Sequence, residues 1–359
     1  MSRTNLLGVA TTVYPQMKQV RSTFFTEMAK HAKRLDHRVV LLDPRAYGDL
    51  DRGFTGLLDD GDKTKSCFTR KNGLHLGAIY ENVFVHLVMK GMARPLRRDA
   101  KHLDIPLFNP LVPGKFTMNN MAQKLPDDTI RVPKTIAVQR FEQITTFFDQ
   151  HQTAYLKPIG GYGGRNVFRV AKTARGFSVQ CDRYLEQGKM RRDFSTSEFN
   201  AFTKRLLARK PHLIQEEIPL VHVDQGRMDF RVVMQRDIGG VWRRVGVVPK
   251  VADRGGVVTN LVAGGHRLSL LEAKDVFEKN YGVFPAERLE RAAHALSKMV
   301  ESKHPTFGIA GYDLGVDADG GVWFIEMNPK PARSLLTREM RKVSAKYTAE
   351  FAVYLASRD

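Results

Sequence analysis

Residues 308–333 read GIAGYDLGVDADGGVWFIEMNPKPAR, and the fold turns on how this stretch is read. Ile309 to Val316 and Val322 to Met327 have the apolar, β-branched and aromatic make-up of strands. Between them stands Asp317-Ala318-Asp319-Gly320-Gly321, rich in residues that accept positive φ. The spacing predicts a β-hairpin. Asp313 falls in its first strand, while Glu326 and Asn328 lie two residues apart in the second and so project from one side of the sheet. Carboxylates beside an amide carbonyl are the oxygen donors a hard cation such as Mg²⁺ takes, its remaining ligands being waters and nucleotide phosphates. Taken alone, the hairpin reads equally well as a solvated turn with acidic residues at its edge.

Length and composition bound the rest. With 359 residues, 42% of them hydrophobic, the chain can bury a large core in more than one lobe. Arg3, Lys18, Arg21 and Glu27 interrupt the early apolar positions, so a signal peptide or membrane span does not fit there, and a cytoplasmic, non-membrane protein is expected. Cys67 and Cys181 stand far apart in no metal-ligand spacing, which excludes a disulfide framework and fits a reducing compartment. The formal charge of +19 gathers at Lys90 to Lys101, Lys189 to Arg192, Lys204 to Lys210 and Arg338 to Lys346. Such a field attracts polyanions. These clusters lack the interleaved aromatics of a stacking platform, so nucleic acid is not expected as a specific ligand. An acidic substrate, a polyanionic surface or simple solubility remain open.

Along the chain, residues 5 to 13 read as a buried strand, 16 to 35 as a helix and Arg38 to Asp43 as a second strand, the beginning of an α/β unit. Asp49 to Asn72 is expected to be irregular, Ile79 to His86 a strand, Met92 to His102 a basic helix, and Ile105 to Pro110 a short strand and turn at a boundary near 110. A helix over Lys115 to Lys124, a strand over Lys134 to Val138 and a helix over Phe141 to His151 follow. Then comes YLKPIGGYGGRNV (155–167), a strand carrying Lys157 and then Gly160, Gly161, Gly163 and Gly164 before another strand. Glycines there let backbone N–H groups approach phosphates and let the loop open and shut, although a tight turn is glycine's commoner use. It is neither a Walker A motif nor a dinucleotide fingerprint.

Helix 197–209 leads into His212 to Pro219, where an apolar strand ends in Glu216-Glu217-Ile218 before a proline. This reads as an inter-lobe hinge whose backbone at Glu217 and Ile218 holds an adenine edge with Glu216 near the amino group, or else as two ordinary exposed glutamates. Two long strands are expected at Asp229 to Asp237 and Trp242 to Val251. In the first, Asp229 and Arg231 share a face and are placed to pair with each other. Asp253 to Gly256 and Thr259 to Gly265 form a second glycine-rich loop, carrying Arg254 and Asn260, of the kind that binds anions through backbone nests. Helices at Leu268 to Tyr281 and Ala286 to Lys303 precede the hairpin, and a last helix runs from Thr337 to Ser357.

Taken in order, Lys115, YLKPIGGYGG, QEEI, DFRV, TNLVAGG and GYDLGV…FIEMNPKPAR resemble the ATP-grasp superfamily. More narrowly, FNP…GKFTMNNMAQKLPDDTIRVPKT, PIGGYGGRNV and VHVDQGRMDFRVVMQRD look like the YheC/YheD-type endospore-coat-associated family, a likeness covering about 105 to 335 well. The resemblance implies α/β architecture with α+β lobes. Residues 1–110 would be an N-terminal α/β pre-grasp domain and 111–359 an ATP-grasp module, with a lid lobe to about 218 and a metal-bearing lobe from 219. Nucleotide would lie between two antiparallel sheets. By that likeness Lys115 and Lys157 contact the α and β phosphates under a lid of 160–164, and Glu216 with the Glu217-Ile218 backbone grips adenine. Asp313, Glu326 and Asn328 hold two Mg²⁺ ions, with Mn²⁺ as the alternative metal. Arg231, Arg254 and Asn260 face the transferred phosphoryl group. The ribose acid has no clear counterpart; Asp224 is nearest, at the wrong spacing. Ala332 stands where the family pattern leads one to expect glycine.

The activity so implied is ATP- and Mg²⁺-dependent ligation of a small-molecule or peptide carboxylate to an amine through an acyl phosphate, releasing ADP and phosphate. Two other readings share the same nucleotide site. One is a kinase that hands the phosphoryl group to a hydroxyl, and the other is a noncatalytic nucleotide-binding protein docked on a spore layer.

Overall fold

Near-continuous apolar runs become strands buried on both faces, and the first sheet is built from them. The computed structural model describes residues 4–12, 23–45, 53–59, 68–110, 114–161, 163–185 and 188–358. Its first part comprises β1 (Leu6–Thr11), α1 (Thr23–Lys33), β2 (Arg38–Leu42), β3 (Phe54–Asp59), β4 (Phe68–Leu74), β5 (Ala78–Asn82), α2 (Val85–Met89), α3 (Arg94–His102) and β6 (Leu107–Phe108). The strand order is β4-β3-β2-β1-β5-β6, with β2, β1, β5 and β6 parallel and β3 and β4 antiparallel at one edge. Here 49–72, expected to be irregular, instead contributes β3 and much of β4: its polar residues occupy exposed positions of an edge strand, a placement hydropathy alone misreads as loop. The strand expected over Ile79 to His86 stops at Asn82 and gives way to α2. Residues 16–22 of the expected first helix, and Cys67, lie outside the described residues.

A second sheet follows, from α4 (Lys115–Ala122), β7 (Thr135–Val138), α5 (Phe141–Gln150), β8 (Thr153–Pro158), β9 (Phe168–Thr173), β10 (Gly176–Tyr184), β11 (Gly188–Phe194), α6 (Thr196–Arg209) and β12 (His212–Glu216). It is antiparallel in the order β11-β10-β9-β8-β12-β7. Phe147 and Phe148 of α5 and Phe199 and Phe202 of α6 pack on Phe168 and Phe177 of the sheet, burying one face. Helix α6 starts at a capping box in which Ser195 and Glu198 satisfy each other's backbone N–H. The basic run Lys189 to Arg192 is edge strand β11, where lysine and arginine discourage pairing with other chains.

The third sheet collects β13 (His222–Val223), β14 (Gly226–Arg236), β15 (Trp242–Val251), β16 (His266–Arg267), β17 (Ile309–Val316) and β18 (Val322–Asn328), in the order β16-β15-β14-β17-β18 with β13 alongside β14. Helices α7 (Leu270–Tyr281) and α8 (Ala286–Lys303) cover one face, where Leu289, Ala292, Ala293, Leu296 and Val300 meet Phe230, Tyr312 and Phe324. Helix α9 (Arg338–Ala356) returns to the first sheet and packs Ala345, Ala349, Phe351 and Leu355 among Leu7, Val9, Phe25 and Met28. Among the described residues no helix is long and apolar enough to cross a membrane.

Candidate active site

One face of the third sheet is charged because its register aligns ionic residues. Arg231 on β14 sits opposite Asp313 on β17, Asp313 opposite Glu326 on β18, and Asp229 opposite Lys250 on β15. Directly opposed residues share a face. Arg231 donates Nε and Nη2 to the two oxygens of Asp313 at 2.5 and 2.8 Å. Lys250, 2% exposed, lies 2.9 Å from Asp229 Oδ1 and 3.1 Å from Asp313 Oδ1. Arg231 therefore pairs with Asp313 and not with Asp229, as the shared-face reading expected. Cross-strand neighbours are closer than residues two apart on one strand. Gly311 makes this approach feasible, since a Cβ there would stand 2.9 Å from Arg231 Cδ.

Burial opposes ionisation of Asp313, yet the Arg231 guanidinium and the Lys250 ammonium overcome it and hold the carboxyl well below the usual range. Burial likewise disfavours the charged form of Glu326, and Lys115 outweighs it so that the carboxyl stays ionised. Lys115 is the first residue of α4 and reaches Glu326 Oε2 at 2.9 Å.

The opposite wall comes from the second sheet. Lys157 on β8 donates to the Gln215 side chain at 2.6 Å, and Gln215 in turn donates to Thr135 Oγ1 at 2.8 Å. With a neutral amide for a partner, Lys157 is pushed down to about 8 by burial and by the nearby charge of Lys115. Above it the two glycine-rich loops meet. Gly164 has φ +69°, and a Cβ there would stand 2.8 Å from Val258 and 3.0 Å from the Asn260 amide. Between the walls is a cleft lined by, among others, Lys115, Lys157, Lys250, Asp313 and Glu326.

At the hinge end, Glu216 Oε1 accepts the Lys134 backbone N–H at 2.8 Å, and Glu217 is clamped by Arg169 at 2.7 and 2.9 Å and by Arg227 at 2.9 Å. Both carboxylates therefore have structural partners within the protein.

Lys115, Lys157, Gly163, Gly164, Glu216, Ile218, Asn260, Asp313 and Glu326 all line the cleft. Arg231 lies beneath it, bound to Asp313. Asn328 is one alternation along from Glu326 and donates to its Oε1 at 3.3 Å. Gly160 and Gly161 are exposed at the outer end of their loop. Arg254 is exposed and turned onto Gln225 Oε1 at 2.5 Å, so the structure does not bring it to the cleft. Sequence reasoning missed Lys250, Gln215 and Arg227. A lone lysine in the otherwise apolar run VGVVPKV is the signal that marks Lys250.

The donor set suits a hard cation. Glu326 offers a carboxylate, and among the described residues Asn328 donates through its amide nitrogen and keeps Oδ1 available, while Asp313 Oδ2 accepts only from Arg231, leaving a lone pair. All are oxygens, with two carboxylates and an amide in the set; among the described residues no group of three or more His, Cys, Asp or Glu is placed to hold a metal, here or elsewhere. Lys115, Lys157, Arg227 and Lys250 line the cleft with Glu216, Asp229, Asp313 and Glu326, and with Arg231 beneath it the five cations exceed the four carboxylates by one, a balance that favours an anion.

Residues 104–355 match the family described as YheC/D like ATP-grasp. The endospore coat-associated protein YheD of Bacillus subtilis (strain 168) is 24% identical over 273 residues, spanning 71% of this chain and 57% of that protein. The endospore coat-associated protein YheC of the same organism is 24% identical over 228 residues, spanning 63% of this chain and 62% of that one. The chain thus spans about three fifths of the length of these curated relatives. Among solved structures, the ATP-grasp ligase PsnB complexed with a phosphomimetic variant of minimal precursor, Mg and ADP superposes with a TM-score of 0.52 at 11% identity, over 96% of this chain and 98% of that one. That likeness is one of fold.

Proposed function

The chain belongs to the YheC/D-like ATP-grasp family, and from that premise we propose that it is an ATP- and Mg²⁺-dependent carboxylate–amine ligase. The observation that carries the proposal is the closure of Lys115, Lys157, Lys250 and Asp313 with Glu326 around one cleft between two antiparallel sheets. In this reading Lys115 and Lys157 hold the α and β phosphates, and the loop at Gly163 and Gly164 roofs them. Asp313, Glu326 and Asn328 would hold Mg²⁺, which when bound neutralises charge on the β and γ phosphates. Arg231, held rigid by Asp313, and Lys250 stabilise charge on the transferring group without reorganising.

A substrate carboxylate oxygen attacks the γ-phosphorus and ADP leaves. The amine then attacks the acyl carbon, and phosphate departs as the amide forms. No residue of the chain is needed as a covalent nucleophile, in keeping with Cys181, whose thiol burial pushes up to about 11. The roof excludes water from the acyl phosphate. PsnB is named as a ligase and was solved with a variant of a minimal precursor, which supports including such a precursor among the substrates to try first.

The test is ADP release by the full chain with ATP and Mg²⁺ across panels of carboxylates, amines and peptides, with hydroxylamine present as a trap. A ligase yields hydroxamate together with ADP, and Glu326→Gln is expected to lose turnover at least a hundredfold (about 3 kcal/mol). ADP formed with a phosphorylated hydroxyl and no hydroxamate would make the protein a kinase. Bound ATP without turnover on any pair would make it a noncatalytic nucleotide-binding protein.

A further inference from the structure

Asp182 stands near the end of β10, on the lid side, yet its carboxylate serves the other lobe. The side chain is 1% exposed. Its Oδ2 accepts the backbone N–H of Val257 at 2.6 Å and of Val258 at 3.0 Å, both in the second glycine-rich loop, and its Oδ1 accepts from Arg191 Nη2 at 2.8 Å. Arg191 Nη2 also donates to the Gly255 carbonyl at 3.2 Å, and Lys189 reaches Asp253 Oδ2 at 2.6 Å. Four contacts thus run from the β10–β11 hairpin to residues 253–258, with Arg191 also bracing Asp182 within the hairpin. They differ greatly in weight. Lys189 and Asp253 are about half exposed, so their pair contributes little, whereas the carboxylate on two amides is buried and charge-assisted.

The segment so held continues into the cleft. Thr259, next after Val258, donates to Asp229 Oδ2 at 2.5 Å, and Asp229 is the partner of Lys250. Asn260 follows, against Gly164 of the lid. A carboxylate of the lid lobe therefore sets the position of a loop whose next two residues line the cleft, the first of them, Thr259, meeting both Asp229 and Lys250 in its floor.

We infer that Asp182 is a positioning residue that latches the Val257–Asn260 segment across the two lobes and thereby controls closure over the cleft. Parting the lobes would leave a carboxylate and two amide N–H groups to be rehydrated together, which makes closure cooperative. The consequence for nucleotide rests on the proposed function; the latch itself does not.

Hydrogen exchange on the full chain without nucleotide, followed by release of a fluorescent ATP analogue in Mg²⁺, tests this on Asp182→Asn and Arg191→Gln. In Asp182→Asn the amides of 255–260 are expected to exchange about tenfold or more faster while those of β14 and β17 hold their rates, and the analogue is expected to leave faster by a similar factor. Arg191→Gln keeps the carboxylate on the amides but removes its counter-charge, and should show the same pattern more weakly, which also serves if Asp182→Asn does not fold. Unchanged loop exchange in the variants, or a loosened loop with unchanged analogue release, overturns the inference. If the wild-type chain binds no nucleotide, the proposed function fails, and the exchange contrast alone then decides the latch.

Discussion

At the scale of single residues, the cleft contrasts two kinds of lysine. Lys250 lies between two carboxylates, and although burial works against its charge, Asp229 and Asp313 raise its proton affinity above the ordinary value. Lys157 has a neutral amide and a cationic neighbour, and burial with that repulsion takes it from 10.5 down to about 8. The signs of its two pH effects are opposite. The unfolded chain holds this proton more tightly than the folded one, so the cost to stability is fully present below about pH 8 and is relieved as pH rises toward 10.5. Phosphate, in contrast, is bound by the charged form. Nucleotide affinity of the free protein is therefore expected to fall as pH rises through about 8, and Lys157→Arg, always charged, should lose that dependence. Titration of affinity from pH 6.5 to 9.5 checks it, and a flat wild-type profile would remove Lys157 from the proposed phosphate contacts.

Among elements, two β-bulges decide which side chains reach the cleft. In the β14–β15 hairpin the register shifts between Val233 and Met234, and in β17–β18 between Asp313 and Leu314. Counting back from each turn without a bulge would set Lys250 opposite Met228 and Asp313 opposite Ile325. A one-residue slip sends every later side chain to the other face, so the bulges bring Lys250 to Asp229 and Glu326 to Asp313. The hairpins themselves were legible from their turns, but nothing in the alternation marked the extra residue. A second element-level device is Asn109, fully buried in the left-handed region with φ +58°. Its side chain accepts from the N–H of Gly308 and Ile309 and donates to the carbonyls of Ile309 and Pro329, tying the end of β6 to both ends of the β17–β18 hairpin. Asn109→Ala leaves those groups unpaired and is expected to cost about 2–4 kcal/mol, read as a lower urea midpoint at unchanged slope. A loss under about 0.5 kcal/mol would show that water replaces the amide at no net cost.

For the molecule as a whole, the last helix closes the first sheet. Phe351 and Leu355 of α9 lie in the same core as α1 and the parallel strands, and their burial alone contributes about 3–6 kcal/mol, comparable to the net stability of a domain. A chain ending at Leu336 is therefore expected to lose cooperative thermal unfolding and to aggregate through the uncovered sheet, with scattering and circular dichroism as the readouts. A soluble truncation with a sharp transition would show that the N-terminal unit closes without α9. Glu81, buried, and Lys330, half-buried, join the same regions from the other side, 2.7 Å apart, where β5 meets the segment that follows Asn328.

What the sequence by itself determined is the set of elements around the cleft and the chemical types at their ends. The 309–328 hairpin, the lysine at 115, the lysine before four glycines and the second glycine loop can each be read from local pattern, because turn chemistry and alternation are local properties. Pairing is not. That Arg231 binds Asp313, that Lys250 lies beneath the cleft, that Arg254 turns outward, and that a lid-side carboxylate holds a loop of the opposite lobe were decided only by the tertiary structure. Each depends on strand register and on residues tens of positions apart, which a single bulge or a change of lobe contact redirects.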